Sequence, residues 1–98
     1  MRLQELIIKV KEQNLSREQL EDYREELSSL YAQLQLEKGE IEKEEALFMM
    51  TNAEKSVAQR KIEWKGTPRG QRLITIKSYC LAVKELLNSL KSRLFSLY

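Results

Sequence analysis

Residues 73–97 read LITIKSYCLAVKELLNSLKSRLFSL and carry an unbroken seven-residue repeat. Apolar side chains stand alternately three and four positions apart over the whole stretch, which is the spacing of a helix that packs in a coiled coil. The residues at these positions are Leu73, Ile76, Cys80, Val83, Leu87, Leu90, Leu94 and Leu97. We expect them to form the core of a helical assembly or a contact between subunits.

A glycine and a proline just before this repeat indicate a turn between two helices. In the segment Gly66–Pro68, Thr67 can cap a helix and Pro68 suits its first turn, where a missing amide costs nothing. The repeat and its start signal together predict a helix over residues 68–96.

A second heptad repeat lies upstream and consists of Leu20, Leu27, Leu34, Ile41 and Phe48. Before it, Ser16 and Gln19 have the spacing of a capping box, in which each side chain binds the other residue's backbone amide. We therefore expect a helix over residues 17–65, and a break near residues 51–52 remains open as the alternative. A shorter amphipathic pattern at the N-terminus predicts a first helix over residues 2–13.

Three helices and few chain breakers predict an all-α fold with a single domain over residues 1–98. With a turn near residues 65–68, the two long helices should form an elongated antiparallel hairpin, or coiled coil, beside the short N-terminal helix. We expect Lys91 and Arg93 to lie opposite the acidic stretch 40–44. Because so small and elongated a chain buries little surface, a homo-oligomer is expected.

Charge is divided unevenly along the chain, although its formal net charge is only +2. Residues 1–54 hold seven Lys/Arg and thirteen Asp/Glu, whereas residues 55–98 hold ten Lys/Arg and two Asp/Glu. The two halves therefore carry −6 and +8. Such asymmetry is typical of a nucleic-acid partner, and equally of two oppositely charged segments that pack on each other.

Enzyme chemistry is disfavoured by the residue types that the sequence lacks. The chain has no histidine, the commonest general base and metal ligand, and its single cysteine, Cys80, has no partner for a disulfide or a Cys–His pair. We therefore expect no catalytic residue, no metal and no cofactor. A free cysteine, with no signal peptide and no apolar span of ~20 residues, favours a cytoplasmic protein that does not enter a membrane.

Basic side chains cluster around the predicted hairpin tip, with one tryptophan among them. Cationic groups neutralise phosphates, and an exposed aromatic ring can stack on an unpaired base, so the cluster predicts a nucleic-acid site, either DNA or RNA. Its residues are Arg60, Lys61, Trp64, Lys65, Arg69, Arg72 and Lys77. The alternative interpretation makes Trp64 a plug that seals the hairpin and leaves the cations solvated or paired with glutamates.

The segment Trp64–Leu94 resembles short helical accessory proteins encoded by bacteriophages, some of which accompany replication and recombination genes. The stretches that carry this resemblance are Thr67–Ile74 and Leu87–Leu94. Met1–Leu3 and Lys91–Arg93 are also similar to a phage recombination-mediator family whose members bind single strands as oligomers. That family has a glycine after the arginine, where this chain has Leu94. No residue role follows from the resemblance.

Three functions fit these observations. The leading hypothesis is a non-enzymatic helical oligomer that binds nucleic acid, with single strands favoured, through the basic hairpin tip, as a phage recombination or replication accessory factor. The second is a protein-interaction module, such as a phage inhibitor or adaptor that docks on a host protein in the host cytoplasm. The third is a structural coiled coil whose only role is assembly.

Overall fold

The computed structural model describes residues 2–12 and 14–96, and within this part of the chain every regular element is an α-helix. The predicted all-α class is therefore confirmed. The helices are α1 (Leu3–Val10), α2 (Arg17–Thr51), α3 (Val57–Lys65) and α4 (Pro68–Phe95). The chain divides into two compact units, the first formed by Met1–Gln33 with Cys80–Tyr98 and the second by Leu34–Tyr79. The single domain expected over residues 1–98 stays a prediction.

The first unit packs α1 against the N-terminal part of α2 and the C-terminal part of α4. Its buried side chains come from all three helices and include Leu3, Leu6, Val10, Leu20, Leu27, Val83, Leu86, Leu90 and Leu94. Arg93, near the end of α4, donates to the backbone carbonyls of Val10 and Glu12, shortly before α2 begins. The end of α4 therefore lies near the start of α2, as antiparallel packing requires.

The start of α2 has the capping structure that the sequence predicts. Asn14 adopts a left-handed conformation with φ of 67°, which turns the chain between α1 and α2. The Gln19 amide then donates to Ser16 Oγ at 3.2 Å, and the Ser16 amide donates to Gln19 Oε1 at 2.9 Å. Both bonds of the predicted capping box are thus formed.

The second unit contains the rest of α2, all of α3 and the first turns of α4. Arg69 binds Glu44, and Arg72, one turn further along α4, binds Glu37, one heptad earlier on α2. The pairs run in opposite directions along the two helices, so the predicted antiparallel hairpin is confirmed in this unit. Its core consists of Leu34, Ile41, Trp64, Leu73 and Ile76.

The continuous helix predicted over residues 17–65 is wrong, because α2 ends at Thr51 and α3 begins only at Val57. At the end of α2 the Phe48 carbonyl accepts from both the amide and the side chain of Asn52, at 3.2 and 2.8 Å, a local side-chain bond of the kind that favours helix ends. The open alternative, a break near residues 51–52, is confirmed. The new helix is capped by Ser56, whose Oγ accepts from the Gln59 amide at 3.2 Å.

The turn into α4 was predicted correctly. Pro68 is its first residue, and Thr67 Oγ1 accepts from the Gly70 amide at 3.0 Å while donating to the Trp64 carbonyl at 2.6 Å. Gly70 lies so close to the end of α3 that a Cβ atom there would stand 1.9 Å from the Trp64 carbonyl oxygen. Only glycine permits this approach of the two helices.

Most of the heptad predicted in α4 forms the core. The buried members are Leu73, Ile76, Cys80, Val83, Leu90 and Leu94. Leu87 is only half-buried, and its neighbour Leu86 takes the inward position. The inward positions therefore advance by three residues from Val83 to Leu86 and by four from Leu86 to Leu90, in the opposite order to the strict heptad. Leu97 lies outside the described residues.

Candidate interaction surface

The seven predicted nucleic-acid contacts lie on α3 and the first turns of α4, but the fold does not bring them together as one exposed surface. Trp64 is only 6% exposed, and its ring packs on Phe48 with the centroids 5.6 Å apart and the planes at 50°. A ring buried in this way has no free face on which a base could stack. Its position fits the alternative interpretation, in which Trp64 seals the hairpin.

Two of the arginines are held in bidentate ion pairs with α2. Arg69 donates through Nε and Nη2 to Glu44 at 2.7 and 3.0 Å, and Arg72 donates in the same way to Glu37 at 2.8 and 3.0 Å. The hydrogen bonds from these guanidinium groups hold the pKa of Glu44 and of Glu37 below their usual range. The positive charge of both arginines is therefore compensated within the chain.

Arg60 closes the C-terminal end of α2. Its Nη1 donates at 2.6 Å to the carbonyl of Met49, one of the last carbonyls of α2, which lack a helical partner. Arg93 does the same for α1 through the Val10 carbonyl. Neither role was predicted from the sequence, because a backbone carbonyl acceptor leaves no charge pattern there. The prediction that Arg93 pairs with the acidic stretch 40–44 is wrong, because Arg93 binds the backbone carbonyls of Val10 and Glu12 and Glu44 binds Arg69.

Four of the predicted contacts are exposed: Arg69, which is paired with Glu44, and the three lysines Lys61, Lys65 and Lys77. None of the three forms an ion pair with another residue in the described part of the chain. The one lysine near them that is paired, Lys55, binds Glu63 at 2.8 Å, and this hydrogen bond raises the pKa of Lys55.

The outward side of α3 carries apolar residues beside two lysines, Lys61 and Lys65, that form no ion pair with a described residue. We call it the α3 outer face, and it consists of Val57, Ala58, Lys61, Ile62 and Lys65, at positions that recur on one side of a helix. Val57 is 54% and Ile62 is 72% exposed. Trp64 is the only buried residue of this nine-residue helix. The α3 outer face thus combines apolar surface with positive charge and contains no acidic side chain.

The first unit offers a different kind of surface. A cleft of about 680 Å³ opens there between α1 and α4, with Ile7 and Leu86 among its apolar lining residues. Arg93 lines one end and is already bound to backbone carbonyls. Lys11, Glu12 and Glu85 give the rim charges of both signs, so the cleft has no clear preference for a charged ligand.

Folding cancels the charge asymmetry that the sequence displays. The first unit holds eight Lys/Arg and eight Asp/Glu, and the second holds nine Lys/Arg and seven Asp/Glu. Each unit is therefore nearly neutral. Of the two explanations left open for the asymmetry, the packing of oppositely charged segments on each other accounts for the ion pairs between α2 and α4.

Neither a metal-binding cluster nor a membrane-spanning helix is found in the described residues. No group of three His, Cys, Asp or Glu side chains there could hold a metal ion, and no described helix is long and apolar enough to cross a membrane. Comparison of the chain with protein families, with curated proteins and with solved structures finds no match. Its function is therefore inferred from its own surface.

Proposed function

We propose that this chain is a non-enzymatic helical module that binds another protein through the α3 outer face. The observation that carries the proposal is the exposure of Val57 and Ile62 on a helix that the fold holds in place by one buried side chain, Trp64. A nine-residue helix is too short to be stable alone in water, so α3 exists because Trp64 and Arg60 fasten it to α2. Contiguous exposed apolar residues of this kind are typical of protein interaction sites.

The charges of the α3 outer face specify the partner's chemistry. Lys61 and Lys65 lie among the apolar residues, so the complementary surface carries apolar side chains with carboxylates beside them. An acidic amphipathic helix meets this description. The resemblance to phage accessory proteins supports an inhibitor or adaptor that docks on a host protein, and the proposal takes that form.

A pull-down with matched variants tests this function. The chain is immobilised and exposed to cell lysate, and retained proteins are compared among the wild type, Ile62→Asp and the control Leu81→Asp, which alters an apolar residue 59% exposed in the first unit. We expect a protein that the wild type and the control retain and that Ile62→Asp loses. Equal retention by Ile62→Asp would show that the α3 outer face is not the docking surface.

A second candidate function is nucleic-acid binding by the exposed lysines alone. It is favoured by Lys61, Lys65 and Lys77, which remain free of ion pairs with described residues. Three phosphate contacts to a single strand predict a logarithmic salt dependence with a slope of about −2. Fluorescence anisotropy with labelled oligonucleotides at several salt concentrations measures this slope. An affinity that does not change with salt concentration would eliminate nucleic-acid binding by the lysines.

The single tryptophan reports on the mode of any such binding. Because Trp64 is buried, we expect its emission to stay unchanged when an oligonucleotide binds. Strong quenching at saturation would instead show that the ring becomes available for stacking, as the hypothesis of a base-stacking hairpin tip requires.

A further inference from the structure

The outward side of α2 carries a second exposed apolar pattern, which lies within the second unit and is independent of the α3 outer face. We call it the α2 outer stripe, and its residues are Leu36, Glu40, Lys43, Leu47 and Met50, all of them exposed. Leu36 is 71%, Leu47 is 62% and Met50 is 74% exposed. At 3.6 residues per turn the five positions fall within about 80° of the helix circumference, opposite the side that buries Leu34 and Ile41.

The α2 outer stripe has the spacing of a coiled-coil seam. Its residues follow one another at intervals of four, three, four and three, which are the intervals between core positions of a heptad repeat. The inward stripe of α2 already packs on the hairpin core. The outer stripe is therefore a second seam on the same helix, and no described residue of this chain covers it.

The order of residues in this seam is self-complementary. When two copies of α2 lie antiparallel about a point midway between Glu40 and Lys43, Leu36 of one copy opposes the partner's Leu47. Glu40 then opposes the partner's Lys43. Each of these contacts occurs twice through the two-fold symmetry. Parallel packing in register would instead place Glu40 against the partner's Glu40 and Lys43 against the partner's Lys43, which like-charge repulsion disfavours.

We propose that a second copy of this chain docks on the α2 outer stripe, antiparallel, to form a two-fold symmetric dimer. The leucine layers supply the attraction, because burying apolar surface is the main source of free energy in such contacts. The exposed Glu40–Lys43 pairs add little energy and fix the orientation and the register.

Gly39 supports this arrangement independently. It lies in the middle of α2, where glycine costs about 0.5–1 kcal/mol relative to alanine, and a Cβ atom there would meet nothing within 4 Å. No contact with another described residue thus explains the glycine. In the antiparallel dimer Gly39 lies on one flank of the seam and faces the partner's Ala46. Two small residues at that place let the helix backbones approach closely.

The opposite flank of the seam is formed by Glu37 and Glu44. These carboxylates would repel those of the second copy if they were free, but each is held in a bidentate ion pair with an arginine of α4. The hairpin therefore neutralises the one acidic flank that would otherwise oppose the pairing. Both flanks and the seam are compatible with a second copy.

The contact is short, so its affinity is modest. Residues 36–50 span roughly 21 Å of helix, which is about two heptads. Small interfaces of this kind belong to the weak end of specific association. We expect the monomer of 11.6 kDa to dimerise at micromolar concentrations. This dimer does not depend on the proposed function, since α2 and α3 present different residues.

Sedimentation equilibrium over a concentration range of about 1 µM to about 1 mM tests the dimer. The wild type should reach twice the monomer mass, and Leu47→Glu should weaken association by about a hundredfold or more, because the charge replaces two symmetric leucine contacts. Circular dichroism of the variant verifies that its helices are intact, as expected for a side chain 62% exposed. A wild type that stays monomeric throughout would overturn the proposal, and so would a Leu47→Glu variant that associates as tightly as the wild type.

Charge exchange tests the orientation. Glu40→Lys and Lys43→Glu should each weaken self-association by about tenfold, because each creates two like-charge contacts. Mixing the two variants should restore dimers, and the double variant Glu40→Lys/Lys43→Glu should associate as the wild type does. Lys77→Glu makes the same change of charge on α4 and should leave the dimer unaffected. Single variants that associate like the wild type would refute the antiparallel register.

Discussion

Replacing Gly70 by alanine tests how closely α3 and α4 approach at their turn. The new Cβ would stand 1.9 Å from the Trp64 carbonyl oxygen and 2.8 Å from its carbonyl carbon, both of them backbone atoms that no side-chain rotation can move away. The carbonyl oxygen must move by more than 1 Å merely to reach 3.0 Å, a distance below which Cβ atoms essentially never approach another heavy atom. That carbonyl also accepts hydrogen bonds from the Thr67 amide and hydroxyl, so its movement weakens the cap of α4.

The size of the effect follows from two opposing contributions. Forced overpacking lowers the free energy of unfolding by about 1–3 kcal/mol, and the better helix propensity of alanine raises it by at most about 1 kcal/mol. We expect Gly70→Ala to destabilise the chain by about 1–2 kcal/mol, which lowers the melting temperature by about 4–15 °C in a domain of this size.

Gly39→Ala is the matched control for this substitution. It lies in the same unit, and its Cβ would meet nothing within 4 Å, so it should stabilise the chain by about 0.5–1 kcal/mol. Urea unfolding followed by circular dichroism, at one low protein concentration, compares the two variants with the wild type. If Gly70→Ala proved as stabilising as Gly39→Ala, the close approach of α3 and α4 would be refuted.

Three further predictions concern the capping box, the core and the ion pairs. Ser16→Ala should cost about 1 kcal/mol by removing the cap of α2, as urea unfolding would measure. Ile41→Ala should cost about 2–5 kcal/mol, because the side chain is fully buried. The lowered pKa of Glu37 and of Glu44 means that their contribution to stability is complete above the pKa of the unfolded chain and is lost as pH falls through the folded value. Replacing both by glutamine should flatten the acid limb of the stability profile, and an unchanged limb would contradict the role of the two ion pairs.

Local signals in the sequence predicted the helix starts well. The capping box at Ser16 and the Thr67–Pro68 start of α4 depend on contacts within one helical turn, so the sequence holds all the partners. The break after Thr51 was harder. Residues 51–56 contain no large apolar side chain, but apolar residues resume at Val57, and the cap of the next helix is Ser56. Periodicity does not distinguish a straight helix from two helices that share the same core.

The candidate site was less predictable, because its residues depend on contacts between distant positions. Arg69 and Arg72 carry the same charge in the sequence as Lys61 and Lys65, and only the hairpin register decides that the arginines meet Glu44 and Glu37. The exposure of Trp64 likewise depends on whether Phe48 reaches it across the break in the helix. Spacing along one helix contains no information on either point.

An uneven distribution of charge along the sequence does not predict an equally uneven surface charge when the chain folds into a hairpin. When an acidic half and a basic half fold back on each other, the charges that face across the seam are compensated, and a net charge computed for each half overstates what a partner would meet. The groups available to a partner are the exposed residues that the hairpin neither buries nor holds in ion pairs. Here they include Lys61 and Lys65 beside the exposed Ile62, and the α2 outer stripe. These leftover residues combine apolar surface with isolated charges, a composition that suits a protein surface better than a phosphate backbone.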